Sequence, residues 1–261
     1  MADLDTMNIK KHIPNLFTLG NLFCGTLATI YAVIGIFEYV ALFVLIGIVL
    51  DFFDGFLARV LGVTGELGKQ LDSLADMVTS GVVPGIVMFT LINKSRFINE
   101  QFFSNHADVT LSFLNNEDTN YYLSFVGFAL TLAACYRLAK FNIDTRQSES
   151  FIGLPTPAMS LFVVALPLVE MSTNIEFVSE LIKNNYFLIG VTLVLSYLMN
   201  ANLPLFSLKF KTFGWKENAM KYVLILSSAG MIITLKFLAV PLIILVYILL
   251  SILNNMKAKE S

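Results

Sequence analysis

The chain has 261 residues, of which 56% are hydrophobic and 14% charged, and its mean hydropathy is +0.74. This composition excludes an ordinary soluble domain and indicates a polytopic membrane protein. The formal net charge of −2 excludes nucleic-acid binding through a broadly basic surface, so partners are expected among membrane lipids.

Eight apolar segments are predicted to cross the membrane as helices, because about 20 mainly apolar residues span a bilayer. They are residues 16–36, 39–61, 70–92, 121–141, 156–172, 186–203, 219–235 and 238–254. The fold class is therefore an all-α integral membrane bundle. One membrane domain covers residues 16–254, between a polar interfacial segment (1–15) and a tail (255–261).

An even number of spans places both termini on one side of the membrane. Thirteen of the 17 Lys and Arg residues fall on that side, and only Lys94, Arg96, Lys183 and Lys236 fall on the other. The positive-inside rule then predicts that the termini and the neighbouring aspartates face the cytoplasm. We expect the membrane to be a bacterial inner membrane.

A basic, proline-containing stretch, K-K-H-I-P-N-L-F-T, leads into the first span at residues 10–18. Pro14 suits the first turn of a helix, where Asn15 or Thr18 can satisfy free backbone groups. The same side chains can instead form a polar edge that faces a nucleotide. Both interpretations stay open.

Four aspartates lie at the ends of the second and third predicted spans. Asp51 and Asp54 are three residues apart and Asp72 and Asp76 four apart, so each pair projects from one helix face. Carboxylates beside hydrocarbon are costly and usually mark a function or a partner. Their oxygens suit Mg²⁺ or Mn²⁺, which also bind phosphate, so the pattern predicts metal-assisted phosphoryl chemistry.

An ion-coupled transporter is the alternative use of intramembrane carboxylates. Acidic residues in transporters tend to lie near the bilayer midplane, on broken helices that recur elsewhere in the chain. Here the aspartates cluster at one membrane edge, and the motif occurs once. The pattern therefore favours an enzyme.

Small residues and an arginine follow the first aspartate pair. Gly55 and Ala58 keep the helix surface shallow, and Arg59 offers a planar set of donors to phosphate. Helix packing through small residues is the structural alternative, with Arg59 as a positive-inside anchor. The neighbouring aspartates favour the phosphate interpretation.

These residues together fit the pattern D-x2-D-G-x2-A-R-x8-G-x3-D-x3-D between Asp51 and Asp76. This pattern resembles the signature of the CDP-alcohol phosphotransferase family of integral membrane enzymes. The resemblance implies a homodimer that transfers a phosphatidyl group from CDP-diacylglycerol to an alcohol and releases CMP. It implies two divalent ions, Mg²⁺ or Mn²⁺, and Asp76 as general base. The implied metal ligands are Asp51, Asp54, Asp72 and Asp76, and the implied CDP-binding residues are Asn15, Thr18, Gly55, Ala58 and Arg59.

Two further segments, R-L-A-K-F-N at residues 137–142 and G-L-P-T-P-A at 153–158, resemble the phosphatidylserine synthase branch of this family. The branch implies L-serine as the acceptor; glycerol 3-phosphate or inositol phosphate is the alternative. Arg137 and Lys140 share a helix face and are expected to bind the acceptor carboxylate or a phosphate. Lys140 stands where the branch more usually has Arg, so it keeps the charge but not the bidentate fork. Ser207 and Lys209 are further candidate site residues.

Overall fold

The computed structural model describes residues 2–94, 119–143, 151–206 and 214–260, and most of these residues are helical. The α-helices are α1 (Ala2–Ile34), α2 (Phe37–Val60), α3 (Glu66–Asp76), α4 (Val83–Lys94), α5 (Thr119–Ser124), α6 (Ala129–Ile143), α7 (Thr156–Ser172), α8 (Glu176–Lys183), α9 (Asn185–Asn200), α10 (Trp215–Leu235) and α11 (Ala239–Glu260). A π-helix (Met77–Val82) joins α3 to α4, and 3₁₀ turns precede α6 (Phe125–Phe128) and α11 (Lys236–Leu238). Two short strands, β1 (Phe151–Ile152) and β2 (Pro204–Leu205), pair antiparallel.

Within the described residues, five helical stretches are long and apolar enough to cross a membrane: His12–Ile34, Phe37–Val60, Glu66–Asn93, Tyr122–Ile143 and Asn218–Asn255. A sixth results if α8 and α9, which bend by 76° relative to each other, count as one span. The predicted all-α class is confirmed, and these helices fit a membrane protein. The number of eight spans and the cytoplasmic position of the site remain predictions.

In the C-terminal half, the predicted spans differ from the helices that are long enough to cross a membrane. The segment predicted at 156–172 coincides with α7, which at 17 residues is shorter than an ordinary span. The last two predicted spans lie within one apolar stretch of 38 residues. Lys236, whose φ is 52°, interrupts this stretch, and α10 and α11 pack against each other on either side of it.

Helix α1 continues through Pro14 instead of starting near it. The predicted border between an interfacial segment and the first span at residue 15 is therefore not a helix boundary. A proline inside a helix removes one backbone hydrogen bond.

The centre of the bundle is α7, which contacts α2, α4 and α11. Its residues from Phe162 to Val169 are all buried, as are Met159 and Ser160. A helix that is apolar all round is typically enclosed by other helices. Its short length is therefore compatible with a position surrounded by protein.

Helices α1, α2 and the π-helix approach most closely around Thr79. A Cβ on Gly25 of α1 would overlap Thr79 Oγ1, and one on Gly47 of α2 would lie 3.0 Å from Thr79 Cγ2. Glycine at both positions therefore permits this contact. Since Thr79 follows Asp76 by three residues, the packing lies directly beside the predicted site.

The strand pair joins the segment before α7 to the segment after α9. Gly153 has a φ of 76°, which favours glycine, and its N–H donates to the Leu203 carbonyl oxygen at 2.9 Å. Helix α11 holds the same region, because Tyr247 Oη donates to the Phe206 carbonyl oxygen at 3.0 Å and Asn255 Nδ2 to that of Pro204 at 2.6 Å. The last helix thereby fixes β2.

Candidate active site

Three carboxylates from two helices converge at one end of the bundle. One oxygen each of Asp51, Asp72 and Asp76 lies within 4.8 Å of the others. Asp51 comes from α2, and the other two lie one turn apart on α3. Gly62, with a φ of 64°, lies in the short connection between these helices. The sequence spacing and this turn together produce the cluster.

The donor set of the cluster fits a hard divalent cation. Three carboxylates this close repel one another unless a cation or a proton lies between them. Carboxylate oxygens are the usual protein ligands of Mg²⁺ and also suit Mn²⁺. The adjoining cavity described below leaves room for phosphate oxygens to complete the coordination.

Asp54, the fourth predicted ligand, lies outside this group of three. Its side chain is only 6% exposed, and its Oδ2 accepts a hydrogen bond of 2.5 Å from Thr18 Oγ1. Arg59, one turn further on α2, is close enough to attract it electrostatically. The structure thus gives Asp54 a protein partner, and its role as a metal ligand stays a prediction.

An open cavity of about 520 Å³ adjoins the cluster. All five residues predicted to bind the CDP part of a substrate line it, together with three of the four aspartates: Asn15, Thr18, Gly55, Ala58, Arg59, Asp51, Asp54 and Asp72. The wall also includes Phe52, which is 63% exposed and continues towards the apolar outer surface of α2. The cavity therefore joins a polar floor to a lipophilic edge.

Asp76 is in the cluster but does not line this cavity. Its Oδ1 accepts a hydrogen bond of 3.3 Å from Nδ2 of Asn21 on α1. The sequence places Asn21 three residues after Thr18, beside the polar edge of α1 that can face a nucleotide, but it does not predict this contact with Asp76. Thr18 and Asn21 therefore occupy one face of α1, and each donates to one aspartate of the signature.

A second contact missed in the sequence joins α3 to the end of α6. Lys69 Nζ donates to the Asn142 carbonyl oxygen at 2.6 Å, and Asn142 Nδ2 donates to Ser73 Oγ at 2.9 Å. Lys69 and Phe141 both line the large cavity. The end of the predicted R-L-A-K-F-N segment thus closes one side of it.

Arg137 does not line the large cavity. It is 8% exposed, it is close enough to attract Asp76 electrostatically, and its Nε has no hydrogen-bond partner among the described residues. Arg137 and Lys140 line a void of about 10 Å³ together with Asn200. Within the described part of the chain, buried Asn200 Oδ1 also has no hydrogen-bond partner, whereas its Nδ2 donates to the Ala133 carbonyl oxygen at 3.1 Å.

The predicted site residues thus form two groups. The cavity and the carboxylate cluster contain every predicted metal and CDP residue, and Arg137 and Lys140 line a separate small void. The remaining candidates, Ser207 and Lys209, lie outside the described residues.

Comparison of the sequence with known proteins assigns the chain to a family. Residues 11–200 match the model of the CDP-alcohol phosphatidyltransferase family. The chain is 33% identical over 160 residues to the CDP-diacylglycerol--serine O-phosphatidyltransferase of Bacillus subtilis, covering 60% of this chain and 75% of that protein. It is 28% identical over 233 residues to the protein of the same name from Helicobacter pylori J99, covering 87% and 84%. It is 27% identical over 165 residues to the archaetidylserine synthase of Methanothermobacter thermautotrophicus, covering 60% of each. The family match spans most of the chain, which therefore belongs to the CDP-alcohol phosphatidyltransferase family.

Proposed function

We propose that the protein transfers the phosphatidyl group of CDP-diacylglycerol to L-serine, giving phosphatidylserine and CMP, and that the reaction depends on a divalent metal. The observation that carries this proposal is the cavity whose floor is formed by Asp51 and Asp72 and whose walls are signature residues. The names of the relatives support serine as the acceptor.

The large cavity is the proposed site for the CDP part of the donor. Gly55 and Ala58 leave the α2 surface shallow enough for a close approach of the nucleotide, and the Arg59 guanidinium is suited to a phosphate. Asn15 and Thr18 present polar groups from α1. Phe52 marks the lipid side, where the acyl chains would remain in the bilayer.

Asp51, Asp72 and Asp76 would hold Mg²⁺ or Mn²⁺, with Asp54 at the edge of the same site. When bound, such ions neutralise the pyrophosphate and the charge that develops on the departing CMP. Asp76 belongs to the same cluster, so with a metal bound there the donor phosphorus would lie beside it.

Asp76 is the proposed general base. The serine hydroxyl oxygen forms a bond to the phosphorus of the phosphatidyl group as the bond from that phosphorus to CMP breaks, and the hydroxyl proton passes to Asp76. A carboxylate is a weak base towards an alcohol, so placement must supply much of its effect. Asn21 Nδ2 engages one Asp76 oxygen and thereby limits rotation of the carboxylate.

Arg137 and Lys140 are the proposed partners of the acceptor carboxylate. Arg137 is buried, and its Nε lacks a hydrogen-bond acceptor within the described part of the protein. A carboxylate provides the bidentate acceptor that a guanidinium prefers.

The proposal is tested by CMP release from CDP-diacylglycerol by the purified protein in detergent with Mn²⁺. Serine, glycerol 3-phosphate, inositol phosphate and no acceptor are compared. We expect release to rise with serine alone and phosphatidylserine to form. Stimulation by another alcohol would reject serine but keep the transfer reaction, and the absence of metal-dependent release with every acceptor would reject the reaction itself.

A further inference from the structure

A chain of two hydrogen bonds links the Asp76 side chain to the π-helix. Thr79 Oγ1 donates to Asn21 Oδ1 at 2.8 Å, and Asn21 Nδ2 donates to Asp76 Oδ1 at 3.3 Å. Asn21 is completely buried and Thr79 is 1% exposed. Because a buried amide is costly without partners, both ends of the Asn21 side chain are constrained by these contacts.

The Thr79 hydroxyl determines which way the amide points. An amide oxygen accepts and an amide nitrogen donates, so a donor at Oδ1 directs Nδ2 towards Asp76. If the amide rotated by half a turn, Oδ1 would face the Asp76 carboxylate and repel it. The Thr79 hydroxyl has a single proton and also lies 3.2 Å from the Asn21 main-chain carbonyl oxygen, so the shorter contact, to Oδ1 at 2.8 Å, is its main hydrogen bond.

Close helix packing fixes the position of Thr79 itself. Gly25 and Gly47 allow α1 and α2 to contact Thr79 directly, and a Cβ on Gly47 would also lie 2.8 Å from Asn21 Oδ1. Ser160 of α7 donates to the Thr79 carbonyl oxygen at 3.3 Å. A π-helical turn immediately after a candidate catalytic aspartate is the kind of local irregularity that often occurs at functional sites.

We infer that Asn21 and Thr79 are positioning residues that hold Asp76 in the orientation required for metal binding. The inference rests on the proposed metal site. The hydrogen bond from Asn21 occupies one oxygen of Asp76 and limits the rotation of its carboxylate towards Asp51 and Asp72. In metal sites, partners that orient a ligand in this way typically contribute about 10- to 100-fold to metal affinity or activity.

Mn²⁺ binding to the purified protein without substrate tests this inference independently of catalysis. Free Mn²⁺ is measured by electron paramagnetic resonance during titration of the unchanged protein and of Thr79→Val, Thr79→Ser and Asn21→Leu. The valine variant keeps the size of the side chain and loses the hydroxyl, whereas the serine variant keeps the hydroxyl and loses the methyl group that faces Gly47. Thermal unfolding without Mn²⁺ compares the folds.

We expect Thr79→Val and Asn21→Leu each to weaken Mn²⁺ binding by about 10- to 100-fold, and Thr79→Ser to bind nearly as the unchanged protein does. The double variant, Thr79→Val with Asn21→Leu, should be no weaker than Asn21→Leu alone, because both changes break one chain of contacts. Weaker binding by Thr79→Ser than by Thr79→Val would show that Thr79 acts through packing and would overturn the inference.

Two other outcomes separate this inference from the proposed function. Equal Mn²⁺ affinity in all variants would reject the positioning role and leave the metal site intact. An unchanged protein that binds no Mn²⁺ would reject the metal site of the proposed function, and the positioning role with it.

Discussion

The two proposed substrate sites differ in how open they are. On the proposed donor side, a cavity of about 520 Å³ is lined by residues of α1, α2 and α3. On the proposed acceptor side, Arg137 and Lys140 border a void of only about 10 Å³, with space for about one water molecule. The proposed donor site is thus already open, whereas the proposed acceptor site would have to widen to admit serine.

The difference follows from how each side is built. The donor side comes mainly from two helices joined by a short turn, so the signature spacing alone brings its carboxylates together. The acceptor side combines α6, β1 and the end of α9, which are distant in the sequence. Arg137 Nε and Asn200 Oδ1 have no hydrogen-bond partner among the described residues, which is typical of a polar site that binds a ligand or water.

The largest effect is expected where the two sides meet, at Asp76. Asp76→Asn keeps the size of the side chain but removes the base and a metal ligand, so we expect CMP release to fall about 10³-fold. Glu66→Gln is the matched control, because Glu66 is exposed in the first turn of the same helix. Near-normal metal-dependent release by Asp76→Asn would exclude Asp76 as the essential base.

A second comparison separates the carboxylates on the donor side. Asp72 belongs to the cluster of three, whereas Asp54 is bound by Thr18 and lies outside it. We therefore expect Asp72→Asn to weaken Mn²⁺ binding by about 100-fold and Asp54→Asn by about 10-fold. Titration of the purified variants with Mn²⁺ measures this ratio. Equal losses of Mn²⁺ affinity would show that Asp54 contributes as much to metal binding as Asp72 does.

Sequence reasoning predicted that the residues of the proposed donor side would lie close together, and it could do so for a physical reason. Its residues lie within a few helical turns, and helix periodicity places Asp51 near Asp54 and Asp72 near Asp76 on known faces. The structure then brings the predicted CDP residues to one cavity. Their binding roles remain predictions.

The parts that the sequence did not predict depend on contacts between distant segments. Asn21 meets Asp76 and Thr79 across 55 and 58 positions, and Asn142 meets Ser73 across 69. Helix periodicity carries no information on such pairs. The continuation of α1 through Pro14 was missed for a different reason, because proline is favoured at a helix start but is not excluded from the interior.

A third prediction contrasts the two arginines. Arg59→Lys on the donor side should raise the apparent KM for CDP-diacylglycerol about 10-fold and leave the KM for serine unchanged. Arg137→Lys should raise the apparent KM for serine and leave the KM for CDP-diacylglycerol unchanged, because lysine cannot make the bidentate contact with the acceptor carboxylate. Both changes keep the charge, so each variant is the control of the other. Initial rates of CMP release, with one substrate varied at a time, give both KM values for each variant. If the two variants changed the same KM, the division into a donor side and an acceptor side would be wrong.

The smallest effect is expected at Lys140, which borders the acceptor void but is only partly buried. Solvent screens such a charge, so Lys140→Glu should raise the apparent KM for serine only about fivefold. Lys140→Arg should lower that KM if the side chain touches the serine carboxylate, because arginine restores a bidentate fork at this position. The two variants therefore move the KM for serine in opposite directions when Lys140 contacts the acceptor. An unchanged KM in both would remove Lys140 from the acceptor site and leave Arg137, which is buried, as its proposed cation.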